Sequence, residues 1–279
     1  MNASRFAPRS ALALSLFLAA AAVFAQAQPQ RDFKPQVGQA GKDVVWVPTS
    51  QALVDKMLDM AKVTPSDYVM DLGSGDGRTV ITAAKRGARA TGIEYNPNMV
   101  ELSKHNAAAA GVGEKARFVR ADLFETDLSQ ATVITMFLLP SINEKLRPKI
   151  LDLKPGTRVV SNSFTMGEWQ DDETAVVDAA QGCSTYCTAH FWIVPAKVQG
   201  TWKLPEGELV LKQEFQMLSG TLAAGGKNQA IANGRMRGDQ ISFRAGGNEY
   251  SGRVSGGLME GTVKSSAGST RFNATRSGS

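Results

Sequence analysis

The residues Tyr68-Val-Met-Asp-Leu72 run without interruption into Gly73-Ser-Gly-Asp-Gly77, and a helix-forming segment, 78–86, follows at once. A short apolar run suits a buried strand, and a strand that turns through alternate glycines into a helix is a unit of a parallel sheet with helical crossovers. Glycine is what such a turn requires, because it accepts positive φ and puts no Cβ between the backbone and a ligand. Short apolar runs continue to alternate with helix-period segments from Val44 to about Phe164. This predicts strands at 68–72, 90–94, 117–120, 131–139 and 158–163. Between them the helices are expected at 51–63, 78–86, from Pro97 behind an Asn96 cap to the stop at Gly111, and at 143–151, with Pro140 starting a turn after the fourth strand.

The glycine spacing narrows the ligand. Dinucleotide loops read G-x-G-x-x-G and P-loops end in G-K-[ST], whereas here Asp71 precedes Gly73-x-Gly75-x-Gly77. Carboxylates at this turn repel a pyrophosphate and suit a cofactor with a positive charge and no phosphates. S-adenosyl-L-methionine is such a cofactor. Glu94 ends the next strand 23 residues after Asp71, close to the offset at which a carboxylate meets ribose hydroxyls. Asp122 follows the third strand, where it could accept from an adenine amino group or simply cap a turn. These acids all stand where strands end, the face at which open α/β sheets bind ligands.

Residues 47–169 resemble the class I S-adenosylmethionine-dependent methyltransferases through Asp71-Leu-Gly-Ser-Gly-Asp-Gly77, Gly92-Ile-Glu94 and Ala121-Asp-Leu123. More narrowly they resemble the non-SET protein-lysine methyltransferases, including the histone type and the mitochondrial types acting on the c-ring protein of ATP synthase and on the adenine nucleotide translocase. Val47-Pro-Thr49, Asp122-Leu-Phe-Glu125, Ala131-Thr-Val-Ile134, Leu138-Leu-Pro140 and Leu153-Lys-Pro-Gly-Thr-Arg-Val-Val160 carry this narrower likeness. The resemblance implies an α/β, Rossmann-like class I methyltransferase sheet with helices on both faces. It implies a cofactor site of Asp71, Gly73, Ser74, Gly75, Gly77, Glu94, Asp122 and Leu123, with Thr49 as a lid contact, and a protein lysine as the methyl acceptor. Phe137-Leu-Leu139 stand where the histone enzyme has an asparagine-rich motif, which argues against histone specificity.

Methyl transfer needs alignment and exclusion of water more than an acid–base pair. A lysine with its ordinary pKa of about 10.4 must lose its proton, which an apolar channel favours. Phe137, Leu138, Leu139, Pro140 and Phe164 are the expected wall, although residues 137–139 also fit buried strand. No residue is identified as a catalytic base, and no metal site is expected, since Cys183, Cys187, His105 and His190 lack ligand spacing. His105 is expected on an exposed helix face, His190 as a structural histidine in an aromatic strand at 186–194, and Trp169 with Asp171, Asp172 and Glu173 in a solvated loop.

The ends of the chain differ from its middle. Arg5 and Arg9 precede the 15-residue apolar run 11–25 and Ala25-Gln-Ala27, the layout of a secretory signal peptide cleaved before Gln28. The run is short for a bilayer span of about 18–20 residues. An uncleaved anchor and a mitochondrial leader are the alternatives, though the latter are amphipathic. Export makes a Cys183–Cys187 disulfide permissible if the segment turns, whereas four extended residues, spanning about 13 Å, would forbid it. Residues 28–43 are expected to link the leader to a methyltransferase domain at 44–197. Of the 27 glycines, 15 lie from Gly200 onward, where helical periodicity gives way to short alternating runs at 201–204, 208–218, 229–232, 240–244, 249–254, 257–263 and 270–275. Residues 198–279 therefore read as a C-terminal antiparallel β-meander, a small barrel or sandwich. They hold 10 bases against 6 acids, too diffuse an excess for a nucleic-acid face. A small-molecule methyltransferase and a non-catalytic exported binding protein are the two rival functions.

Overall fold

A computed structural model describes Met1 and residues 33–277. The expected leader at 1–27 lies outside the described residues apart from Met1. Among the described residues no helix is long and apolar enough to cross a membrane.

The first half builds an open sheet. In chain order its elements are α1 (Gln51–Met60), β1 (Tyr68–Leu72), α2 (Arg78–Lys85), β2 (Arg89–Glu94), α3 (Pro97–Ala109), β3 (Ala116–Arg120), β4 (Val133–Met136), α4 (Pro140–Leu151), β5 (Arg158–Asn162), β6 (Glu173–Val176) and β7 (Thr188–Ile193). The strand order is β3-β2-β1-β4-β5-β7-β6, parallel from β3 to β5, with β7 antiparallel to both β5 and β6. Because β1 pairs with both β2 and β4, the order reverses at β1, which opens a crevice at the carboxyl ends of these strands. One apolar cluster joins α1 and α2 to the sheet through Leu53, Leu58, Val80, Val69 and Val133, and a second joins α4 to the other face through Leu146, Ile150, Ile134 and Met136. Helices thus cover both faces.

Two sequence expectations fail at β4. The strand stops at Met136, so residues 137–139 leave the sheet, and Pro140 is the first residue of α4. A proline lacks only an N–H that the first helical turn leaves unpaired anyway, so the residue read as a turn signal is a helix start.

The second half closes on itself. Its strands are β8 (Gly200–Leu204), β9 (Gly207–Glu214), β10 (Met217–Ala224), β11 (Lys227–Ala230), β12 (Ala232–Arg237), β13 (Gln240–Ala245), β14 (Asn248–Ser255), β15 (Leu258–Ser265) and β16 (Gly268–Arg276). Antiparallel pairing runs β10-β12-β13-β14-β15-β16-β8-β9 and returns from β9 to β10, an eight-stranded barrel with β11 added at β10. Closure leaves no free edge among the eight strands. Trp202, Leu211, Met236, Phe243, Tyr250 and Phe272 fill the interior, where the Phe243 and Tyr250 rings stack at 4.6 Å.

The expected strand at 208–218 is two strands, β9 and β10, joined by a two-residue turn at Phe215-Gln216. Neither residue signals a turn, and Phe215 has φ +52°. Its conformation is offset by packing: the ring stacks on Trp169 at 6.2 Å, and the Gln216 amide donates to the Gln170 carbonyl at 2.7 Å. Likewise the expected strand at 229–232 straddles β11 and β12.

That turn plugs the barrel into the sheet domain, which corrects the reading of residues 169–173 as a solvated loop. Trp169 is fully buried, its carbonyl accepting from Trp192 Nε1 at 2.9 Å. The buried Asp172 carboxylate takes Arg235 of β12 at 2.5 Å and the Ile193 amide at 2.8 Å. His105 is exposed. His190 is half-buried in β7, with Nδ1 3.0 Å from Asp171.

Candidate functional site

The crevice beside β1 is held open by backbone. The chain leaves β1 through Gly73 and Gly75 at φ +75° and +54°, and the Gly73 and Ser74 amides both donate to the Ile93 carbonyl of β2, at 2.9 and 3.0 Å. From α3, Ser103 Oγ donates to the Gly75 carbonyl at 2.8 Å and Asn106 to the Asp76 carbonyl at 3.0 Å. The loop is therefore tied from two sides before any ligand arrives.

Three carboxylates ring this turn in different environments. Asp71 is buried and accepts one hydrogen bond, from Thr135 Oγ1 of β4 at 2.6 Å. Burial pushes its carboxyl up to about 7; the Thr135 bond opposes that rise, and the Asp76 and Glu94 charges add to it. Glu94 accepts from the Gly75 amide at 3.0 Å through one oxygen and from the Asn96 amide at 2.9 Å through the other. A carboxylate offers about four lone-pair sites, so two remain for a ligand. Asp122 caps its own turn by accepting from the Phe124 amide at 2.8 Å and also takes Lys42 Nζ at 2.5 Å, a bond that holds its carboxyl below the usual range. Asp122 is thus a turn cap, one of its two readings, and the residue also lines the cavity.

One cavity brings Thr49, Asp71, Gly73, Ser74, Gly75, Glu94, Asp122 and Leu123 together. Gly77 stands apart from it. It is the left-handed N-cap of α2, φ +83°, and a Cβ there would lie 2.7 Å from Phe118 and 2.9 Å from Ser103, so its glycine serves helix–strand packing, not the ligand. Thr49 is fixed from both ends: Arg78 donates to its carbonyl at 2.7 Å and Asn162 to its hydroxyl at 3.1 Å. Phe137, Leu138, Leu139 and Phe164 line the same cavity, whereas Pro140 does not. Leu138 is also buried core, its tip 3.1 Å from where a Cβ on Gly73 would stand.

Sequence reasoning missed the cover. Residues 39–46, most of them assigned to a linker, fold over the crevice as a strap in which Gly38 N donates to Trp46 O and Trp46 N to Gln39 O, both at 2.9 Å. The Trp46 indole nitrogen lies only 2.6 Å from where a Gly75 Cβ would be, so the glycine is needed for the strap as well as for the turn. Lys42 spans the cavity edge between Asp122 and the Tyr95 ring, 5.1 Å from its centroid. Trp46 stands in the short apolar run Val44-Val-Trp-Val47, whose pattern does not say what it packs against; its place over Gly75 does. Tyr186 also lines the cavity. It sits in the loop before β7, at φ +55°, not in the expected aromatic strand.

Comparison with known proteins agrees with this geometry. A family profile for the ANTKMT methyltransferase domain matches residues 71–173. The chain is 46% identical over 138 residues to a protein-lysine N-methyltransferase of Saccharolobus islandicus, covering 48% of this chain and 86% of that protein. It is 37% identical over 129 residues to the mouse adenine nucleotide translocase lysine N-methyltransferase, covering 46% of this chain and 56% of the relative. It thus spans about half the length of that relative. The solved structure of an RNA methyltransferase from Salinibacter ruber, in complex with S-adenosyl-L-homocysteine, aligns at 46% identity and TM-score 0.51 over 55% of this chain and 96% of that one.

Proposed function

The chain belongs to the class I S-adenosylmethionine-dependent methyltransferases, in the branch described by the ANTKMT domain, and we propose that its methyl acceptor is the ε-amine of a protein lysine. The donor set fits the cofactor: a turn without side chains, two free acceptor sites on Glu94 for the ribose hydroxyls, Asp122 for the adenine amine and a buried carboxylate, Asp71, for the methionine ammonium. S-adenosylmethionine supplies an electrophilic methyl on a sulfonium. Gly73 and Gly75 let that group approach the backbone, and the strap with Trp46 excludes water from it. An acceptor amine that has lost its proton to solvent would take that methyl through its nitrogen lone pair, the new N–C bond replacing the S–C bond and the cofactor departing as its thioether.

One observation carries the choice of lysine. The cavity lining holds five carboxylates, Asp43, Asp71, Asp76, Glu94 and Asp122, against two cations, Lys42 and Arg78, each already paired with a carboxylate. Such a lining offers a phosphate backbone no free cation, although nucleic-acid binding depends on such cations. The Salinibacter protein is named as an RNA methyltransferase, so RNA belongs in the assay. Residues 28–279 with methyl-tritiated cofactor, poly-L-lysine, bulk RNA and a solvent extract of cell envelope should place label in methyl-lysine after acid hydrolysis. Label confined to RNA or to the extract would overturn the lysine reading.

We also place the protein outside the cytosol. The leader motivates this, and the Cys183–Cys187 disulfide, with Cα atoms 5.7 Å apart, supports it because such bonds persist in oxidising compartments. Terminal sequencing of the protein from its host should begin at Gln28; a start at Met1 would refute cleavage of the leader, and recovery only from cytosol would refute export.

A further inference from the structure

Three aromatic rings, each from a different part of the chain, meet at this cavity: Phe137 after β4, Phe164 after β5 and Tyr186 before β7. Phe137 and Phe164 stack at 6.1 Å, and Tyr186 closes the triangle at 5.2 Å from the first and 6.0 Å from the second. Phe137 and Phe164 are carried directly on sheet ends. Tyr186 is held otherwise. It lies within the loop closed by the Cys183–Cys187 bond, three residues between the two cysteines, with Cys183 buried in the apolar core and Cys187 O accepting from the Val177 amide at 2.9 Å. Its φ of +55° is a conformation bulky residues rarely adopt, and the residue stays 47% exposed, so burial does not explain why the loop keeps it.

We propose that Tyr186 is a specificity-determining residue that forms the outer wall of the acceptor channel, and that the Cys183–Cys187 disulfide positions its ring there. The inference rests on the lysine reading. Ring faces accept the aliphatic stem of a lysine and stabilise the positive charge that develops on nitrogen as the methyl arrives. Asp71 and Glu94, assigned above to the cofactor, line the same cavity, and the triangle supplies the apolar wall that an amine needs in order to shed its proton. Reduction frees the loop: a dithiol such as dithiothreitol is oxidised to its cyclic disulfide while Cys183 and Cys187 take up two electrons and two protons. The loop keeps its backbone bonds at Val177 but loses the covalent link that confines Tyr186.

The test separates the ring from the reaction. The probe is Nα-acetyl-Nε-trimethyl-lysine methyl amide, titrated into the mature protein saturated with S-adenosylhomocysteine, with its N-methyl proton resonance followed for ring-current shift. Tyr186→Phe should bind within about twofold of the parent, while Tyr186→Ala and the dithiothreitol-reduced protein should bind about tenfold or more weakly. Affinity for S-adenosylhomocysteine alone should stay unchanged in all of them. With poly-L-lysine as acceptor, Tyr186→Ala should raise KM far more than it lowers kcat. Equal probe binding by Tyr186→Ala and the parent overturns the inference, as does a reduced protein that loses S-adenosylhomocysteine together with the probe, since the bond would then be only structural. Parent protein that binds the probe through Tyr186 but leaves poly-L-lysine unlabelled refutes the lysine reading and keeps the wall. Equal labelling by parent and Tyr186→Ala does the reverse.

Discussion

Glu94→Ala is expected to weaken S-adenosylmethionine binding about 100-fold or more, measured by calorimetry on residues 28–279. Both Glu94 oxygens are oriented by backbone amides, from Gly75 and Asn96, so the carboxylate meets the ribose without further ordering. Two charge-assisted hydrogen bonds to hydroxyls are worth about 1.5–3 kcal/mol each, and about 1.4 kcal/mol is a factor of ten. The substitution also strands the Gly75 and Asn96 amides, so part of the loss comes from a looser turn. Glu94→Gln separates the two effects: it keeps the shape and one oxygen, loses the charge, and should fall between parent and alanine in affinity while unfolding at nearly the parent temperature. S-adenosylhomocysteine shares the ribose and should lose as much. Parent-like affinity in Glu94→Ala would remove the ribose from this carboxylate and with it the assignment of the crevice.

The sequence was legible where local rules and tertiary demands coincide. β1 runs over Tyr68–Leu72 as its apolar pattern predicts, because a strand buried on both faces needs nothing but apolar side chains and the glycines that end it. Asp71, Glu94 and Asp122 follow from spacing alone, since β1, β2 and β3 lie side by side and their ends share one face. What escaped depends on contacts between residues distant in the chain. Thr135 reads as one more strand residue until the β1–β4 register sets it beside Asp71. Trp46 has no local partner and gains its meaning only over Gly75. Phe215 breaks the turn rules because its ring is held in place by Trp169, 46 residues earlier. Gly77 belongs to the ligand by its place in the motif, yet its neighbours are Phe118 and Ser103 of the packed interior. A motif specifies which residues lie near a turn; the packing behind it decides which of them face the ligand.

Cofactor affinity is expected to fall below neutral pH, and Asp71 is the cause. Its carboxyl titrates at about 7 in the ligand-free protein, raised first by burial and further by Asp76 and Glu94, and only the ionised form attracts the methionine ammonium. Affinity should therefore be flat above pH 7 and drop about tenfold per unit below it, roughly 100-fold at pH 5, because binding must first remove a proton. Stability of the ligand-free protein moves the other way. A carboxyl raised from 3.8 to about 7 contributes most to folding below its unfolded pKa, and that contribution is lost as pH rises through 7. Saturating cofactor supplies the opposite charge and should cancel the loss, so the thermal shift on binding grows with pH across this window. Two variants identify the group. Asp71→Asn should bind weakly at every pH and flatten the profile. Thr135→Val removes the hydrogen bond that holds the carboxylate down and should move the midpoint above 7. A parent profile flat from pH 5 to 8 would mean that Asp71 stays ionised in its buried site, and the ammonium would then have to be held elsewhere in the crevice.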